Sequence, residues 1–348
     1  MTIYDVLDYA RQNDCSDIHI TVGTELAIRQ HGELIFLQEK PAKEEAEAMI
    51  YEMLTEKDIA KVEAGKDIDT AFMLQDGGRV RINVYHQRNN LAASVRMFYP
   101  VIPSFKELGL PEVVRDFVKL PRGLVLITGP TGSGKTTTLA SMLDYINHNM
   151  NKHIMTVEEP IEYIYKRDKS MIHQREVGKD CDNFAQALRS ALREDPDIIL
   201  VGEMRDYETI KSAVTAAETG HLVLSTLHTT SAAQTIDRII DGCPANEQNQ
   251  LRQQLSGLLQ GVITQQLLPR ADGPGRIIAT EVLVVNYAIG NMIRENKSHM
   301  IPSQMQSNSS TGMHTMNMCL KDLYRRGIIA REVALKSSNN PSELEKLI

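Results

Sequence analysis

The stretch "GPTGSGKTTT", residues 129–138, decides how this chain folds. It matches the pattern G-x-x-x-x-G-K-[ST] at Gly129, Gly134, Lys135 and Thr136. Before it, "GLVLIT" (123–128) is an unbroken apolar run of strand type. After it, "TTLASMLDYINH" (137–148) has helical spacing, with Leu139, Met142, Leu143 and Ile146 on one face. Strand, glycine-rich loop and helix in this order predict a loop whose backbone N–H groups grip the phosphates of a nucleotide. Such a loop belongs to a parallel α/β sheet.

The rest of the chain sets limits on that reading. With 348 residues there is room for two domains of ordinary size. A content of 42% hydrophobic and 24% charged residues is that of a soluble globular protein. The net charge of −7 argues against a nucleic-acid partner, because phosphate backbones select basic surfaces. No apolar run approaches the roughly 20 residues that span a bilayer. The acidic start, "MTIYDVLDYARQND", lacks the features of a secretory signal, so a cytoplasmic location is expected. Cys15, Cys181, Cys243 and Cys319 are widely spaced and indicate neither a disulfide framework nor a zinc site.

The pattern changes near residue 100. Thr2 is placed to cap a first helix with Asp5 in the reciprocal position. Strands are expected at "DIHITV", "LAIRQ", "ELIFL", "DTAFML", "RVRINVY" and "LAASVRMFY", with turns at His31-Gly32, Asp76-Gly77-Gly78 and Arg88-Asn89-Asn90. One helix is expected over residues 43–64, with Ala46, Met49, Ile50, Met53 and Leu54 as its apolar stripe. This predicts an antiparallel α+β domain over residues 1–99. A proline-punctuated linker containing a short helix, 100–121, would follow, and then an α/β domain with C-terminal helices over 122–348.

Other candidate chemistry follows the loop. "HIMTVEEPIEY" is a strand ending at Glu158 and Glu159, and "DIILVGEMRD" is a core strand followed by Gly202 and Glu203. An acid at such a strand end can orient and deprotonate an attacking water, or hold Mg²⁺ through its water shell. Strand ends are also acidic simply because they face solvent. His221 and His228 flank "LVLSTL", with His228 at the C-terminal end, the edge where open α/β sheets bind ligands.

Taken in order, "GPTGSGKTTTLASMLDYIN", "VEEPIEY", "HQREVG", "ALREDPDIILVGEMRD" and "AAETGHLVLSTLHT" resemble the Walker A, Asp, Walker B and His boxes of the secretion ATPase superfamily. The likeness runs from "SDIHIT" to "STGMHTMNMCLKDLYRRGII" and is strongest to the type IV pilus retraction branch. It implies a PAS-like N-terminal domain, a RecA-like ATPase domain and a homohexameric ring. ATP and Mg²⁺ are the implied cofactors. An inner-membrane pilus platform protein and other pilus ATPases are the implied partners, at the inner face of the cytoplasmic membrane. An accessory retraction ATPase, a pilus-extension or type II secretion ATPase, and a DNA-dependent RecA-type ATPase are the alternatives. The extension members' extra N-terminal domain and paired-cysteine zinc motif are not found in this sequence.

The resemblance also implies roles for individual residues. Gly129, Pro130, Thr131, Gly132, Ser133, Gly134, Lys135, Thr136 and Thr137 would bind the nucleotide, with Thr136 on Mg²⁺. Glu203 would be the general base, supported by Glu158, Glu159 and Glu162; His228 would sense the γ-phosphate, and His221 is a further catalytic candidate of the His box. Arg81 and Arg96, with Arg79 a weaker match, would bring guanidinium groups to the phosphates. Retraction members carry a late helix reading AIRNLIRE; residues 288–295 here read "AIGNMIRE". Gly290 in the arginine position is expected to cost about 1 kcal/mol of helix propensity relative to alanine.

Overall fold

The computed structural model describes residues 2–30, 32–74, 78–98 and 101–348. Of the positions read from sequence, His31, Asp76 and Gly77 in two expected turns lie outside the described residues. So do Tyr99 and Pro100 at the expected boundary. The chain forms two compact units, one of residues 1–101 with 160–164, the other of 102–159 with 165–348.

The first unit contains α1 (Ile3–Gln12), β1 (Cys15–Thr21), β2 (Ala27–Gln30), β3 (Glu33–Phe36), α2 (Lys43–Tyr51) and α3 (Glu56–Glu63). Strands β4 (Ile68–Met73), β5 (Arg79–Gln87) and β6 (Asn90–Met97) follow. Thr2 and Asp5 form the expected capping box at the start of α1. The strands make one antiparallel sheet in the order β3-β2-β1-β6-β5-β4. Arg88 and Asn89 join β5 to β6 with φ of +49° and +60°, the left-handed pair of a tight hairpin whose twist suits the flanking strands. The core is built from Ile18, Ile20, Ile82, Val84 and Val95 of the sheet against Ile3, Leu7, Ile50 and Val62 of the helices.

The single helix expected over 43–64 is two. Thr55 adopts extended backbone and accepts from the Asp58 N–H, so it caps a new helix rather than continuing the old one. Met53 is nevertheless buried, so the apolar stripe survives across the break.

The second unit opens with the short helices α4 (Phe105–Leu108) and α5 (Val114–Phe117), then β7 (Gly123–Thr128), α6 (Lys135–Asn149), β8 (His153–Glu158), β9 (Met171–Glu176) and α7 (Phe184–Ala191). Next come β10 (Ile198–Val201), α8 (Tyr207–Glu218), β11 (Leu222–Leu227), α9 (Ala232–Asp241), α10 (Gln248–Leu258), β12 (Leu259–Pro269) and β13 (Arg276–Val284). Helices α11 (Tyr287–Arg294), α12 (Ile301–Ser307), α13 (Met316–Arg325), α14 (Arg331–Ser337) and α15 (Pro341–Glu345) close the chain. The sheet order is β13-β12-β7-β11-β10-β8-β9, parallel except for β13. All six residues of β7 are buried, as a strand covered on both faces requires. Val125 and Ile127 meet Leu139, Met142, Leu143 and Ile146 of α6. Leu124 and Leu126 face the other way, toward the layer of α8 and α9. Residues 102–118 do not form a bare linker: Phe105, Leu110, Val114 and Phe117 lie in the same core as α6.

Two features tie the C-terminal helices to the rest of the unit. Glu281 on β13 is buried, and its two carboxylate oxygens accept from the N–H groups of Ala232 and Met316, the first residues of α9 and α13. Burial pushes its carboxyl up, against the pull of those two donors. The second feature is Gly290. Ile289 and Ile293 are buried as their spacing predicts, but a Cβ on Gly290 would stand 2.8 Å from the Ser256 carbonyl oxygen of α10. The glycine lets two helices approach closely, so the propensity argument does not decide its effect. Alanine would recover about 1 kcal/mol of propensity and force apart a backbone contact, an overpacking that costs about 1–3 kcal/mol. Gly290→Ala is therefore expected to lower the thermal midpoint; a raised midpoint would mean that the α10–α11 contact yields freely.

Candidate functional site

Residues 129–134 form the loop between β7 and α6. Gly129 has φ +143°, and a Cβ there would lie 2.2 Å from the Gln265 carbonyl oxygen, so only glycine fits. Helix α6 starts at Lys135, leaving N–H groups at its first turn without intrahelical acceptors and with the positive end of the dipole. The Lys135 ammonium donates to the carbonyls of Gly129 at 2.8 Å and Pro130 at 3.1 Å, folded back along its own loop. A Cβ on Gly132 would meet nothing within 4 Å, so the loop is open on that side. Pro130, Thr131 and Gly132 are exposed, while Gly134, Lys135, Thr136 and Thr137 are half-buried. This donor set suits a polyphosphate, and Thr136 offers the hard oxygen that Mg²⁺ takes beside phosphate oxygens.

Because β7, β8, β10 and β11 are parallel, their C-terminal ends share one edge of the sheet. Glu203, just after β10, meets His228, just after β11, with Nε2 3.0 Å from its Oε1. His228 Nδ1 lies 3.5 Å from the Lys135 ammonium. An ammonium can only donate, so Nδ1 accepts and the Nε2–H donates to Glu203. Arg205 Nε reaches the same Glu203 oxygen at 2.7 Å. Burial pushes the Glu203 carboxyl up, but Arg205 and then His228 outweigh it, and the group sits below its ordinary value. Glu203 is thus a carboxylate at neutral pH.

The other candidates are distributed unevenly. Glu159 is exposed and lies 3.8 Å from Arg205, which links it to Glu203. Glu158 is buried and turned inward, accepting from the Thr156 hydroxyl at 2.6 Å. Glu162 belongs to the 160–164 segment that packs with the first unit, where Tyr163 approaches the Phe98 ring. His221 is not brought to this edge. It stands before β11, at the opposite end of the strand from His228, with its ring on the Ala216 carbonyl at 2.9 Å. The symmetry of two histidines about one strand separates them by the strand's length.

Arg81 and Arg96 face each other across β5 and β6 in the first unit. Asp69 accepts from Arg81 Nε at 3.0 and 3.1 Å, and Asp17 from Arg96 Nε at 3.0 Å. Arg79 is buried. Reading the sequence missed Arg205, although "GEMRD" displays it two residues after Glu203, and Gln265, which nothing local sets apart from Gln260 and Gln266 on the same strand.

Comparison with known proteins is consistent with this geometry. A family model described as type II/IV secretion system protein matches residues 2–274. The chain is 45% identical over 342 residues to the type IV pilus retraction ATPase PilT of Pseudomonas aeruginosa, covering 98% of this chain and 99% of that protein. It is 36% identical over 334 residues to the type IV pilus ATPase PilU of the same organism, covering 96% of this chain and 87% of that protein. Among solved structures, the pilus retraction motor PilT with bound ADP matches with a TM-score of 0.90 at 47% identity, covering 99% of each chain. Among the described residues, no helix is long and apolar enough to cross a membrane.

Proposed function

The chain belongs to the type II/IV secretion system protein family, and we propose that it is an ATP-hydrolysing motor that powers type IV pilus retraction, and with it twitching motility, by withdrawing pilin from the base of the pilus. One observation carries the reading. The phosphate loop, Glu203 and His228 meet at the C-terminal edge of one parallel sheet, in a chain similar end to end to a retraction motor.

The residues divide the chemistry as follows. Backbone N–H groups of residues 130–136 receive the phosphates, and Lys135 exchanges its loop carbonyls for phosphate oxygens. Thr136 holds Mg²⁺, which offsets phosphate charge. Glu203 takes the proton from the attacking water, and His228 exchanges Glu203 for the γ-phosphate as the acceptor of its Nε2–H. Glu159 and Arg205 orient Glu203, while Glu158 and Glu162 are assigned to the support of metal and water. Arg81 and Arg96 close the site in a homohexameric ring, exchanging Asp69 and Asp17 for phosphate oxygens. The ring would act from the cytoplasmic face on the inner-membrane platform protein, alongside other pilus ATPases. The net charge of −7 speaks against a nucleic-acid partner.

Deletion of the gene tests the function. The expected phenotype is lost twitching with excess surface pili, whereas a bald cell would indicate an extension ATPase. The likeness to PilU supports an accessory role as the second reading; continued retraction in the deletion strain would favour it.

A further inference from the structure

We propose that Gln265 is a positioning residue for the nucleotide, one that sets nucleotide affinity by holding the phosphate loop in its receiving shape without touching the ligand. The inference rests on the reading of residues 129–136 as the phosphate loop. Gln265 lies on β12, next to β7, and is 0% exposed. A primary amide in such a place is costly unless both of its ends are bonded, and here both are. Its Nε2 donates to the Ser133 carbonyl at 2.7 Å, and its Oε1 accepts from the Thr138 hydroxyl at 3.0 Å.

Those two partners lie on either side of Lys135 and Thr136, one in the loop and one in the first turn of α6. The single amide therefore fixes the spacing between loop and helix around the residues that would meet the phosphates. The Gln265 backbone adds a third hold, since its carbonyl oxygen occupies the space a Cβ on Gly129 would need. Beside it, the hydroxyls of Thr264 and Thr128 meet at 2.8 Å and continue the seam up to the start of the loop.

The direction of the bond to Ser133 matters. In a trans peptide the C=O and the following N–H point to opposite sides. Drawing the Ser133 carbonyl toward β12 aims the Gly134 N–H away from β12. Without Gln265 that peptide plane is free to rotate, and a donor for phosphate is lost. The pairing is also specific for an amide. A methionine keeps the volume and satisfies neither partner, and a glutamate of the same shape sets a carboxylate against the Ser133 carbonyl.

The test uses the full chain, with binding of a fluorescent ATP analogue and steady-state ATP hydrolysis measured for Gln265→Met, Thr138→Val and the double variant. The expected result is at least ten-fold weaker binding for Gln265→Met and a few-fold weakening for Thr138→Val. The double variant should be no weaker than Gln265→Met alone, because both act through one hydrogen-bonded unit. KM for ATP should rise more than kcat falls. If Gln265→Met does not fold, Thr138→Val carries the test by itself, and unchanged affinity there overturns the proposal. Affinity within two-fold of wild type in folded Gln265→Met, or effects that simply multiply in the double variant, would also overturn it. Lys135→Ala serves as the control: unchanged binding there would place the failure in the reading of the loop, not in Gln265.

Discussion

Lys135→Ala should bring ATP turnover to background while the protein keeps its fold. The lysine supplies the ammonium at the start of α6, and its partners include the carbonyls of Gly129 and Pro130 and the His228 ring, acceptors at an open loop that water can satisfy after its removal. The loss of stability should therefore stay within about 1 kcal/mol, the ordinary range for a side chain outside the core. The loss of phosphate neutralisation is different, because negative charge develops on the oxygen that leaves with ADP as the γ-phosphoryl group transfers, and the loop has no other cation to offset it. Phosphate release against thermal unfolding separates the two effects. Substantial residual hydrolysis would mean that residues 129–136 do not hold the reacting phosphates.

The parts of this molecule that were legible in the sequence are those whose causes are local. Strand, loop and helix around Gly129 are adjacent in the chain, and each carries its own pattern of burial or glycine. Glu203 and His228 were legible because parallel strands all end at one edge, so position within the chain gives position in space. His221 shows the limit of that logic, since the other end of the same strand is equally marked in sequence. Features whose causes are non-local escaped. Nothing near Gly290 says that the Ser256 carbonyl faces it, and nothing near Gln265 names Ser133 and Thr138 as its partners. The helix break before Thr55 was local, and the threonine followed by Asp58 was its overlooked signal. The burial of residues 102–118 was hidden by their prolines, which suggested a linker although Phe105, Val114 and Phe117 carry a core pattern.

Glu203→Gln should part binding from hydrolysis. Arg205 and His228 both donate to the same Glu203 oxygen, Oε1, and an amide oxygen in that place can accept from both. The site should keep its shape and its affinity for ATP, while the loss of the proton acceptor lowers turnover by roughly 10²–10⁴-fold. In the wild type, Arg205 and His228 hold the carboxyl below its ordinary value despite burial. Glu203 is therefore ionised, and competent as a base, until the pH falls through that lowered value. The acid limb of the rate profile should lie below the usual carboxylate range. The variant also offers the cleanest view of assembly, because ATP stays bound instead of turning over. Light scattering of Glu203→Gln with saturating ATP should report a hexamer. A strictly monomeric species under those conditions would remove the reason for assigning Arg81 and Arg96 to the phosphates, since their carboxylate partners Asp69 and Asp17 already account for them within the first unit. If turnover instead survives within a few-fold, the base lies elsewhere. Glu158 and Glu162 would then be the next to replace.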